Sequence, residues 1–218
     1  MKTYLFLLFV LLGLGSKAQF LSDNNNRPIT EKRYVNITGS PYFSDEFYPG
    51  TVVLSDGKKY DNLLIQLDEV RDAMLFKENK PDAKTLEFTT TPVLEFTLKT
   101  GTGNPVKFKN IAGADTKING FCQILLEGKT SLLKKTKKSI IQNATYNTAN
   151  IEKTIASSTL YALQAADQKV TMVKGDKKAF LKALADRSKE IEAYVNEQNI
   201  DFKNDADLVK LITYYNTL

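Results

Sequence analysis

The chain of 218 residues contains no histidine. That absence removes every mechanism in which an imidazole relays a proton for a nucleophile, so neither a Ser-His-Asp nor a Cys-His centre can be built. Cysteine is almost as scarce. Cys122 stands alone and cannot form an internal disulfide, and with one thiol and no imidazole a zinc site would need an unusual all-carboxylate shell. Its neighbours Ile124 and Leu126 share its face of an alternating apolar segment, the setting of a buried and inert thiol. No motif asks for a metal or a cofactor. Long apolar runs are missing beyond the first residues, and so is a strong charge of one sign.

The single long apolar run, residues 4–14, begins just after Lys2 and is followed by Ser16-Lys17-Ala18, the small-x-small pattern read by a signal peptidase. It falls short of the roughly 20 apolar residues that a transmembrane helix needs. Residues 1–18 therefore read as a signal peptide, with the mature chain beginning at Gln19 and exported to the periplasm or the extracellular space, outer-membrane association included. No transmembrane segment is expected after cleavage, and no Cys follows the junction to accept a lipoprotein acyl group. Removing Lys2 and Lys17 from 30 basic residues leaves 28 against 25 acidic ones. So small an excess gives no argument for nucleic acid, which export also disfavours.

Residues 19–33, with Asp23-Asn24-Asn25-Asn26, are polar and without period, and are expected to be a flexible N-terminal segment. The Asp and Asn spacing lacks the Gly and the closing Glu of a calcium loop. From about Thr51 to Val173 the dominant period is two, and residues 34–174 are expected to form an antiparallel β domain. Asp56-Gly57 between two strand-like runs marks a hairpin. Leu63, Ile65 and Leu67 share a face, as do Leu94, Phe96 and Leu98, and Val106 and Phe108. Further strands are expected at 73–77, 85–89, 121–127, 130–134, 159–164 and 169–173, with residues 127–129 at the tip of a second hairpin. The polar stretch 143–157 reads as a loop or one short helix. After Gly175 the period becomes 3.6, and residues 175–218 are expected to form a helical cap. Asp176 can cap a helix bearing Phe180, Leu181 and Leu184, a second carries Ile191, Tyr194 and Val195, and Asn204 caps a third bearing Leu208, Leu211, Ile212 and Tyr215. The expected fold is α+β: an antiparallel β meander, as a sandwich or an incomplete barrel, followed by a C-terminal bundle of two to three short helices.

The tail Glu190-Ile191-Glu192-Ala193-Tyr194-Val195, then Phe202-Lys203-Asn204-Asp205-Ala206-Asp207-Leu208-Val209-Lys210 and Tyr214-Tyr215-Asn216, resembles the C-terminus of a group of uncharacterised secreted proteins of Bacteroidota. The Ala18-Gln19 junction and the stretch from Gly39-Ser40-Pro41-Tyr42 through Asp45-Glu46-Phe47 to Gly50-Thr51-Val52 and Asp56-Gly57 are similar to the same group. The resemblance implies a bacterial exported protein with a β-rich body and a short helical end. It carries no activity onto any residue.

Two surfaces are candidates for binding. Tyr42, Phe43, Phe47 and Tyr48 interleave with Asp45 and Glu46; such rings can stack on sugars while the carboxylates accept hydroxyl hydrogen bonds, or they can fill the end of a sheet core. Lys134, Lys135, Lys137 and Lys138 could face a polyanion, or serve as the charges that protect a sheet edge. Adjacent acids such as Asp45-Glu46 and Asp68-Glu69 point to opposite faces of a strand and do not converge on a glycosidic bond. Gly101-Thr102-Gly103 lies between strands, with no helix N-terminus to make it a phosphate cradle. The favoured function is that of an exported, non-enzymatic binding or structural protein of the cell envelope or secretome, its partner an envelope glycan or another envelope protein. The alternatives are a carrier of an apolar ligand in a half-barrel under the helices, and a glycan hydrolase working through acidic residues.

Overall fold

Alternating apolar residues make strands because one face of each must leave water, and neighbouring strands satisfy the backbone while doing so. The computed structural model describes residues 33–88, 91–101, 103–111, 118–144 and 151–218. The expected signal peptide and nearly all of the N-terminal segment, with Thr89 and Thr102, lie outside these. Two antiparallel meanders share one sheet. The first comprises β2 (Tyr48–Leu54), β3 (Lys59–Asp68), β4 (Ala73–Glu78) and β5 (Leu86–Glu87). The second comprises β6 (Val93–Leu98), β7 (Val106–Ile111), β8 (Gly120–Leu126), β9 (Thr130–Ala144), β10 (Ile151–Ala165) and β11 (Val170–Val173). They join where β6 returns beside β2, and β1 (Ile37–Thr38) runs parallel to β10, so the order is β1-β10-β9-β8-β7-β6-β2-β3-β4-β5 with β11 on β10. The β2–β3 hairpin turns at Gly57, whose φ of 82° suits a residue without Cβ.

The eleven-stranded sheet is continuous but does not close. Five strand spacings separate β4 from β8, about 24 Å in a flat sheet. Yet the Phe121 N–H of β8 donates to Asp72, which directly precedes β4, at 3.2 Å. The sheet must therefore curl until the β3–β4 turn meets β8 and β9. Inside the curl lie Val52, Ile65, Phe76, Phe96 and Phe108, with Phe96 stacked on Phe108 at 4.8 Å.

One part of the strand reading needs correction. Residues 151–157, expected in a loop or short helix, belong to β10, and β9 runs ten residues past the expected end at Lys134; residues 145–150 lie outside those described. Ile151 through Ala165 pair in unbroken register with β9. Much of this ribbon lies beyond the core, so its sequence carries no apolar alternation, and a strand partner supplies the backbone bonds that fix its conformation.

The three helices start and stop as the 3.6 period predicts. They are α1 (Lys177–Ala183), α2 (Ser188–Glu197) and α3 (Asp205–Tyr215), with a 3-10 turn over Ala185–Arg187. The Asp176 carboxylate accepts from the Ala179 N–H, and the Asn204 side chain accepts from the Ala206 and Asp207 N–H groups. Both close donors that a helix start leaves open. The apolar stripes lie against one face of the β9–β10–β11 region, where Leu132, Leu163 and Val173 meet Phe180, Leu184, Ile191, Leu208, Leu211 and Ile212, all buried. Leu133 and Ala162, one position along each strand, bury with Ile118 and Cys122 on the opposite face.

Candidate functional site

Charged and phenolic residues that the strand pattern did not mark as a group meet at the β3–β4 turn. Asp68 ends β3 with 1% of its surface exposed. It accepts the Tyr34 hydroxyl at 2.7 Å and, through its other oxygen, the backbone N–H groups of Val70 and Arg71 at 3.1 and 3.0 Å. The turn is shaped by this carboxylate. Burial, and then the bond to Asp68, raise the Tyr34 phenol well above its ordinary range. Arg71 reaches Asp68 at 3.9 Å and Glu87 at 2.7 Å. Two residues beyond Val70, Asp72 takes a φ of 57° and turns its carboxylate onto Lys135 at 2.5 Å. Its close approach to β8 requires glycine at 120, where φ is 78° and a Cβ would lie 1.5 Å from Asp72 Oδ2.

The lysine run is largely consumed here. Lys135, 6% exposed, is held by Asp72 and by the Phe121 carbonyl at 3.0 Å. Lys138 pairs with the buried Glu69 at 3.0 Å and donates to the Tyr42 carbonyl. The two lysines stand on opposite faces of β9, while the Lys138 N–H donates to the Glu69 carbonyl at 3.1 Å. The turn thus sits on the free edge of β9, gripped from both sides. Burial raises the Glu69 carboxyl above its ordinary value although the Lys138 ammonium beside it acts in the other direction. Lys134 points to the helical side and binds Asp205 at 2.6 Å. The Tyr161 hydroxyl donates to the same carboxylate at 2.9 Å, and burial with this bond pushes the phenol up to about 12. Lys137 alone of the four is in the exposed class. No single basic face results.

The aromatic segment is also built into the wall. Tyr42, Phe43, Phe47 and Tyr48 are all half-buried, with Asp45 and Glu46 exposed between them. Tyr42 packs edge-on against Tyr34 at 5.7 Å, and Phe43 against Phe108 at 5.2 Å. Tyr48 lies in β2 and packs on the inner core. The Lys77 ammonium stands 4.5 Å from the centre of the Phe47 ring. Buried Gln66 fastens the loop by donating to the Ser44 and Asp45 carbonyls at 3.1 and 3.0 Å.

Beside the turn opens a cleft of about 180 Å³, lined by Asp72, Met74, Glu87, Phe88, Asn110 and Phe121 among others. It offers carboxylates, a carboxamide and ring edges, the groups that meet hydroxyls and aliphatic C–H faces. Both acids already hold a cation, Lys135 for Asp72 and Arg71 for Glu87. Asp68 and Glu69 diverge as neighbours on an extended chain must, one toward Tyr34 and the other toward Lys138. Cys122 is fully buried, and burial pushes its thiol up to about 11. Among the described residues no three acidic or sulfur side chains gather as metal ligands do, and no helix is long and apolar enough to cross a membrane. Only the acids of this turn could have been suspected from sequence; Tyr34, Lys135 and Lys138, which Asp68, Asp72 and Glu69 bind, lie 34, 63 and 69 positions away, with no local pattern joining them. No known protein family, curated protein or solved structure matches the chain.

Proposed function

We propose that this protein is an exported, non-enzymatic binding or structural component of the cell envelope or secretome. The observation that carries the reading is the engagement of the acids at the β3–β4 turn: Asp68, Glu69 and Asp72 each bind a cation or hydroxyl of the same chain. A hydrolase would need one carboxyl held protonated and a second free to attack or to activate water, both facing one bond. The signal-like start and the resemblance to secreted proteins support the address. The space between sheet and helices is filled by Leu132, Leu163, Phe180, Leu208 and Leu211, which supports a structural cap over a ligand chamber. An apolar cargo of ordinary size would need several hundred Å³ of cavity. The cleft at Asp72, Phe88 and Asn110 is smaller and suits a hydroxyl-rich group, such as one residue of an envelope glycan.

The test is co-purification of the tagged protein from its native envelope, paired with incubation of the purified protein on envelope polysaccharide. A retained glycan or envelope protein with no newly released reducing ends is the expected result. Steady release of reducing ends, abolished by Asp72→Asn, would overturn the non-enzymatic reading.

A further inference from the structure

Most sheet edges in this protein are guarded. The ends of the strand order are the two-residue strands β1 and β5, too short to template a partner. The free edge of β9 is covered at Lys138 by the β3–β4 turn. The gap on the outer edge of β10 is bounded by β1 at residue 154 and β11 at residue 161. Among the described residues, none of these devices covers residues 139–144 of β9. Beyond Lys138 the run Ser139-Ile140-Ile141-Gln142-Asn143-Ala144 has neither charge nor proline. Ile140 and Ile141 are 38% and 45% exposed, two of the few large apolar residues in water. Since the Lys138 N–H points away from β10, the backbone groups of Ile140 and Gln142 point the same way by the alternation of an antiparallel ladder. Among the described residues they meet no backbone partner.

We infer that residues 139–143 of β9 form the interface of a two-fold symmetric dimer, pairing antiparallel with the same residues of a second copy. The run is complementary to itself. With the axis at Ile141, Ile140 faces Gln142 of the second copy in a hydrogen-bonded pair, and the reciprocal pair forms by symmetry. Ser139 faces Asn143 and Ile141 faces its own copy, so the ladder ends one residue short of the turn at Lys138 and no like charges oppose. An isologous contact of this kind closes at two copies and grows no further.

Cysteine placement reads the register directly. Ile141→Cys puts two thiols across a non-hydrogen-bonded pair with Cα atoms about 4.5 Å apart, within the range of about 4.4–6.8 Å that a disulfide spans. Ser139→Cys puts them about 13 Å apart along the strands. Buried Cys122 does not compete. Under mild oxidation the Ile141→Cys protein should become a covalent dimer and the Ser139→Cys protein should not. Sedimentation of the unmodified protein should show a dimer fraction rising with concentration. Ile141→Lys, which opposes two cations at the axis, should abolish that fraction while leaving the melting temperature at low concentration unchanged. A strictly monomeric protein, equal cross-linking at both positions, open-ended aggregation, or concentration-independent protection of the Ile140 and Gln142 amides from hydrogen exchange would each overturn the inference.

Discussion

Lys135 and Lys137 sit two apart on one strand face and have opposite fates. The first is enclosed by Asp72 and the Phe121 carbonyl, and the second stays in water. Removing one partner of a fully buried ion pair costs about 3–5 kcal/mol. Asp72 keeps 33% of its side chain exposed, so Lys135→Ala should cost less, about 2–3 kcal/mol, whereas Lys137→Ala should cost under about 0.5 kcal/mol. Denaturant midpoints of the two variants measure the difference. Glu69 adds a pH signature. Burial lifts its carboxyl above the ordinary 4.5, so the folded protein holds this proton more tightly than the unfolded chain does. Its contribution to stability is then fully present below pH 4.5 and is lost as pH rises through the folded value. Glu69→Gln removes the titration. The stability of the parent relative to this variant should fall as pH rises above 4.5 and then level off; a difference independent of pH would show that Glu69 titrates normally.

At the scale of elements, the helical cap is held by packing and by a few polar ties. Leu211 is fully buried in the α3 stripe, while Lys210 lies outside it and pairs with Asp207. Leu211→Ala should cost about 2–5 kcal/mol, and Lys210→Ala under about 0.5 kcal/mol. Equal small effects would mean that the helix is undocked. The cap is also latched to the β8–β9 hairpin. The Asn216 carboxamide accepts from the Thr130 N–H at 2.8 Å and donates to the Thr130 carbonyl at 2.9 Å, closing both backbone groups with one side chain. Asn216→Ala leaves both half-buried groups to water and should cost about 1–3 kcal/mol, with the added exchange confined to the 127–130 turn and the end of α3. These helices were legible because each carries its own stripe and start signal within a dozen residues. The β9–β10 ribbon was not, because its conformation depends on a partner strand more than on a local apolar period.

Over the whole molecule, the curl of the sheet brings the β3–β4 turn onto β9 and converts a row of lysines into internal struts. Export is the expectation at this scale. Mass spectrometry of the secreted or periplasmic protein should find an N-terminus at or within a few residues of Gln19. A cytoplasmic chain retaining Met1 would reverse the assignment of location and reopen intracellular functions. By itself, the sequence determined what depends on near neighbours: the impossibility of histidine chemistry, the hairpins at Gly57 and Gly128, the alternating strands and the three capped helices. Tertiary structure decided what depends on distance. It paired Lys135 with Asp72 across 63 positions and Lys134 with Asp205 across 71. It also seated the Tyr42–Tyr48 rings in the wall and, among the described residues, left the outer edge of β9 beyond Lys138 without a backbone partner. The reason is physical: turns and helix caps are specified by dihedral preference and local hydrogen bonds, whereas the fate of a lysine or a ring depends on which surface the folded sheet brings against it.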